Sequence, residues 1–152
     1  MSSQFSPETF LDMTIDAPLE RREPLPVDDY TAVIGDVKAR TWTSSKDPSK
    51  TGIAWDVPLT IDVPAELQSS LGLPATLQLK DSIMIDLTEN GTIDTSKGKN
   101  GRLRMYREAT NLNKPGDSFS ARKLTGCVIK VKVTHELYQG NIMERPGSVA
   151  SV

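Results

Sequence analysis

The sequence predicts a mainly β protein with one helix, in the order strand, strand, strand, helix, strand, strand. Three observations carry this: three segments in which apolar residues recur at every second position, one segment in which they recur at three- and four-residue steps, and turn residues between them. The chain has 152 residues, enough for one domain with a substantial core.

The first 29 residues hold four prolines (Pro7, Pro18, Pro24, Pro26) and show no sustained period, so residues 1–29 are expected to form an extended acidic arm. The domain proper, residues 30–152, is expected to begin at Tyr30. "YTAVIGDVKARTWT" is rich in β-branched and aromatic residues and reads as the first strand, with Gly35 as a bulge or bend. A polar loop, "TSSKDPSKT", follows.

"GIAWDVPLTIDV" then alternates, with Ile53, Trp55, Val57, Leu59, Ile61 and Val63 on the core side. Pro58 cannot donate to a ladder, so this second strand is expected at an edge or bulged there. "PAELQSSLGLP" has room for one helical turn. In "TLQLKDSIMIDL", Leu77, Leu79, Ile83, Ile85 and Leu87 mark a third strand, and Asn90-Gly91 supplies a turn.

The rhythm changes from Asn100. Leu103, Tyr106 and Thr110, flanked by Met105, Ala109 and Leu112, predict a helix with Asn100 as its N-cap, stopped by "NKPGD". "LTGCVIKVKVTHEL" puts Cys127, Ile129, Val131 and Val133 inward and Lys130 and Lys132 outward. A short final strand is expected after "YQGN", around residues 142–149. This β-β-β-α-β-β order is the layout of a five-stranded OB-like barrel, in which the face of strands 2 and 3 and the loops 1–2 and 4–5 commonly hold oligonucleotides. A small sandwich shares the same element order.

Charge is unevenly spread. Residues 97–132 carry ten bases against Glu108 and Asp117, a local net of about +8 in a chain whose total is −2, and residues 1–30 carry seven acids against Arg21 and Arg22. Catalytic chemistry finds little support. His135 is the sole histidine, with no Ser or Cys at an instructive spacing, and reads as structural. The strand carboxylates Asp56, Asp62, Asp81 and Asp86 do not cluster as a two-metal site, and neither phosphate-loop glycine motif is present. One cysteine excludes both an internal disulfide and a multi-cysteine zinc site, and no cofactor is expected. No leader and no membrane-length apolar run is evident, so a soluble protein is expected.

Binding chemistry is better represented. Lys38, Arg40 and Trp42 are two apart and share one strand face, a row that joins charge to a stacking ring. Lys46 and Lys50 occupy the 1–2 loop, Lys130 and Lys132 point outward on strand four, and Tyr138 lies in the 4–5 loop. With Lys97, Lys99, Arg102, Arg104, Arg107, Arg122 and Lys123, these residues compose the expected nucleic-acid surface, acting by phosphate neutralisation and base stacking. Lysines on a strand face also serve solubility and edge protection.

Several segments also resemble a bacteriophage family of small OB-like proteins encoded among replication and recombination genes. The likeness spans residues 24–143, in "PLPVDDYTAVIGDVKAR", "IAWDVPLTI" and "DLTENGTIDTSKGKNGRLRMYREATNLNKPGDSFSARKLTGCVIKVKVTHELYQGNI". The resemblance implies a non-catalytic single-stranded DNA-binding or accessory role in the host bacterial cytoplasm. Phage or host replication proteins would be met through the N-terminal arm, with self-association open. The chain ends "ERPGSVASV", without the acidic tip typical of bacterial single-strand binders. A virion or assembly protein, packing its β-barrel against other chains, is the alternative reading.

Overall fold

The computed structural model describes residues 6–116 and 118–152, so the first five residues of the expected arm, and Asp117 of the basic segment, lie outside the described residues. In chain order the elements are α1 (Pro7–Leu11), β1 (Asp28–Ile34), β2 (Lys38–Thr43), β3 (Thr51–Asp62), α2 (Ala65–Leu71), β4 (Thr76–Ile85), α3 (Gly101–Ala109), a 3-10 turn (Ala121–Leu124), β5 (Val128–Tyr138) and β6 (Asn141–Ala150).

The alternating segments all form strands, and they join into one open antiparallel sheet of six. Its path is β2-β3-β1-β5-β6, with β4 on the other side of β3. With β1 and β2 counted as halves of one bent strand, the order of the first four is 4-1-2-3, a Greek key. Among the described residues no ladder joins β6 to β4, so the sheet stays open there.

Gly35 marks the bend, as its sequence context suggested. Its N–H donates to Pro58 O at 2.8 Å, and a Cβ at this position would come within 3.0 Å of the proline ring. The second strand is not an edge strand, but the irregularity expected at Pro58 is present: between the pairs Ile34–Leu59 and Lys38–Asp56, three residues of the bent strand oppose Val57 and Pro58. β3 is interior, paired with β4 along one side and with β2 and then β1 along the other. Proline is accommodated because residue 58 falls between the last β2 pair, at Asp56, and the first β1 pair, at Leu59. Its nitrogen faces the break, where no donor is required.

The core lies against one side of the sheet. Ala32, Ile34, Val57, Leu59, Ile61, Ile83, Ile129, Val131 and Val133 are buried from the strands, and α3 adds Leu103, Tyr106 and Ala109. Trp55 packs against this cluster but is only half-buried. Cys127 is likewise half-buried.

The start of the domain differs from the sequence reading. Asp28 and Asp29, assigned to the arm, begin β1 by pairing with Val133 and Lys132. Leu25 is fully buried, and the Tyr30 hydroxyl donates to Pro26 O at 2.7 Å, so the domain takes in the end of the arm. The last strand, Asn141–Ala150, lies within one residue of its expected bounds at each end, and follows a turn whose Gln139 and Gly140 both have positive φ, as a tight I′ hairpin requires. The single expected helix is α3. Two shorter helices accompany it, and α2 ends on Gly72 in the left-handed conformation.

Candidate functional site

β2 presents Lys38, Arg40 and Trp42 on its outward face, and the cross-strand register explains what each meets. Arg40 Nε lies 3.0 Å from Asp56 Oδ2, and Ser82 Oγ donates to the same carboxylate at 2.7 Å. The Ser82 hydroxyl, and then Arg40, hold the Asp56 carboxyl below the usual range against the opposing effect of burial. Arg40 is therefore neutralised in part, while Lys38 makes no ion pair among the described residues.

Trp42 sits opposite Gly52 in the β2-β3 ladder. A Cβ on Gly52 would stand 2.7 Å from the indole atoms Cε2, Cζ2 and Nε1, so the ring lies directly on the glycine backbone. This placement leaves Trp42 half-buried, with its Nε1 enclosed and without a hydrogen-bond partner among the described residues. The glycine opposite Trp42 was not singled out from the sequence. A glycine inside an alternating strand is a sign of close approach, and it was readable there.

The loop after β2 carries Lys46 and Lys50, both exposed. It is closed by Ser44 N–H to Lys50 O and Lys50 N–H to Asp47 O, each at 2.9 Å. The pairing of Ile53 with Ile85 shows that this loop and the segment after β4 leave the sheet at the same end. That second segment turns at Asn90-Gly91 and returns to α3, held by an arrangement the sequence reading assigned differently.

Asn100 is not the side-chain cap of its own helix. It adopts a left-handed conformation (φ 53°) and is buried, its N–H donating to Asp86 Oδ2 at 2.7 Å. Its Oδ1 accepts from Asp86 N–H at 2.8 Å, and its Nδ2 donates to the carbonyls of Asp86 and Asp94. Packing of loop against helix start outweighs local capping here, since a buried amide must satisfy all its polar atoms.

Between the segment 93–100 and α3 lies a cleft of about 290 Å³ lined by Lys97, Lys99, Arg104 and Arg107, with Asp94 and Asn113. Four predicted residues thus come together. Arg107 is fixed by its Nε bond to Leu112 O at 3.1 Å and by its guanidinium carbon 4.4 Å over the Phe119 ring. Arg104 makes an exposed pair with Glu108 at 3.3 Å.

The other predicted residues are dispersed. Arg102 faces inward to Asp81 rather than joining the cleft. Arg122 shares a shallow depression with Lys38, Asp36 and Thr125, and the Lys123 ammonium donates to Ser118 O. Lys130 and Lys132 point outward from β5, opposite Thr31 and Asp29. Tyr138 is exposed at the β5-β6 hairpin, beyond the start of β1 and so at the far end of β5 from the Val33-Val128 pair. His135 has a structural role: its Nε2 lies 2.7 Å from Leu25 O.

Among the described residues no group of three His, Cys, Asp or Glu side chains is placed to hold a metal ion, and no helix is long and apolar enough to cross a membrane. No protein-family model matches the chain, and no curated protein matches it.

Proposed function

We propose that this chain is a non-catalytic, OB-like single-stranded DNA-binding protein of a bacteriophage, acting in DNA replication or recombination in the host cytoplasm. The observation that carries the reading is the Trp42 indole lying on Gly52, on an outward strand face beside Arg40 and Lys38 and next to the Lys46/Lys50 loop. A ring supported from below by backbone suits stacking on a base, and stacking tolerates any sequence because every base has a π face. The lysines neutralise phosphates.

The fold favours the same reading. A 4-1-2-3 strand order, a fifth strand beyond the fourth and a helix between the third and fourth agree with an OB barrel left open between its third and fifth strands. The side chain of Arg102 spans that opening. Residues 6–20, exposed throughout, are the part that would meet a replication protein or a second copy.

The test is a fluorescence-anisotropy titration of labelled oligo-dT at several salt concentrations. Binding with a log–log salt slope of about −0.7 per phosphate engaged, over roughly three to six phosphates, supports the reading. No binding of a 30-mer at low salt removes it in favour of the assembly role.

A further inference from the structure

We propose that the cleft between residues 93–100 and α3 is a phosphate-binding site, and that it holds a phosphate of the same DNA strand whose base rests on Trp42. The second part rests on the DNA-binding reading above. The first part stands on the cleft alone.

Four cations and one carboxylate line the cleft, a net charge of +3 around about 290 Å³. The carboxylate is already engaged: Asp94 Oδ1 accepts from Ser96 N–H at 2.9 Å and from Ser96 Oγ at 2.6 Å. Those Ser96 bonds hold Asp94 below the usual range, so it stays ionised and turned to its own loop. The cations are less committed. Lys97 and Lys99 are exposed and make no ion pair among the described residues, and Arg104 has only the exposed Glu108 pair, which a phosphate can outcompete.

Two features make this a formed site rather than a solvated basic patch. Arg107 is held by Leu112 O and Phe119, which orders its planar donor fork before any ligand arrives. The loop is fixed to the start of α3 because every polar atom of the Asn100 side chain is used on Asp86 and Asp94. Arrival of an anion therefore requires ordering of the two lysines and exchange of the exposed Arg104–Glu108 pair.

The register connects cleft and ring. Trp42 pairs with Gly52, Gly52 precedes Ile53, and Ile53 pairs with Ile85, the last residue of β4. Asp86 follows and is bonded directly to Asn100 at the cleft. Two strand spacings, about 10 Å, separate the Trp42 backbone from the end of β4, so a strand that passes round this end of the sheet, from the outward face to the helix side, can engage both.

Pyrophosphate and dT12 serve as separate probes, each titrated against the full chain and against the Lys97→Gln/Lys99→Gln variant. Both lysines are exposed, and circular dichroism checks that the variant is folded. Pyrophosphate should shift the amide resonances of residues 95–101, with affinity at least tenfold weaker in the variant, and the dT12 salt slope should flatten by about 1.4. A wild-type chain that ignores pyrophosphate, or a variant with unchanged pyrophosphate affinity, overturns the site. Lysine-dependent pyrophosphate binding with an unchanged dT12 slope overturns the shared path, and the same binding with no dT12 affinity sinks the DNA-binding reading while upholding the phosphate site.

Discussion

Arg102 donates to Asp81 from Nε at 2.8 Å and to Gly147 O from Nη2, also at 2.8 Å, so one side chain ties β4 to β6 where no ladder joins them. The Tyr106 hydroxyl completes the arrangement, donating to the same Asp81 oxygen at 2.6 Å. Burial, and then the neighbouring carboxylate, push the Tyr106 phenol far above its ordinary range, so it remains a donor at any working pH. Asp81 is buried, and removing its cation leaves an uncompensated charge. Arg102→Ala should therefore lower stability by about 2–4 kcal/mol in urea denaturation, with oligo-dT affinity of the folded fraction little changed. A variant of normal stability with weakened DNA binding would return Arg102 to the binding surface.

The two tryptophans should separate. Trp42→Ala should weaken oligo-dT binding by about 1–3 kcal/mol with a smaller effect on the melting temperature. Trp55 contacts the core, so Trp55→Ala should do the opposite, at about 2–3 kcal/mol of stability for a half-buried ring. Melts and titrations of both variants decide the assignment.

Gly52→Ala tests the platform without touching the aromatic. The added methyl cannot share space with indole atoms 2.7 Å away, so the ring must tilt off the strand. DNA affinity should fall several-fold and the tryptophan emission maximum should shift. Wild-type affinity and emission together would show that the ring's seat on Gly52 is immaterial.

The hairpin β5-β6 holds the end of the arm through Glu144, which accepts from Arg22 Nη1 at 2.6 Å and from Leu25 N–H at 2.9 Å. Burial works to raise the Glu144 pKa, but Arg22 and the Leu25 N–H outweigh it, and the carboxyl lies below its usual range. A depressed folded-state pKa contributes stability above the unfolded value, near 4.3, which is lost as pH falls through the folded value. The melting temperature should drop below about pH 4.3 more steeply in the wild type than in Glu144→Gln. Parallel profiles would remove this residue from the acid response.

Truncation should divide the arm in two. Removing residues 1–20 takes away Glu8, Asp12, Asp16 and Glu20, all exposed where described, and should leave the fold intact. If those acids compete with DNA for the basic surface, oligo-dT affinity rises several-fold at low salt and the gain fades as salt is added. Unchanged affinity at low salt eliminates the competition. Leu25→Ala, by contrast, opens a cavity at a fully buried position and should cost about 2–5 kcal/mol of stability.

Local periodicity determined most of the elements. Ile53, Val57, Leu59 and Ile61 declare a strand because side chains alternate across any pleated chain, whatever it pairs with, and Leu103 and Tyr106 declare a helix face by the same local geometry. The row of Lys38, Arg40 and Trp42 was legible for that reason. What lay beyond the sequence were partnerships between residues far apart along the chain. Pro58 sits in an interior strand because its nitrogen meets the break at Gly35, 23 positions away by number. Arg102 was one cation among ten until folding set Asp81 beside it, and Asn100 looked like a cap until Asp86 came within reach. Leu25 looked like arm until Glu144 and His135 fixed its backbone. Alternation shows which side chains face inward, but a charged or amide side chain chooses its partner by distance and desolvation, and those exist only once the strands have paired.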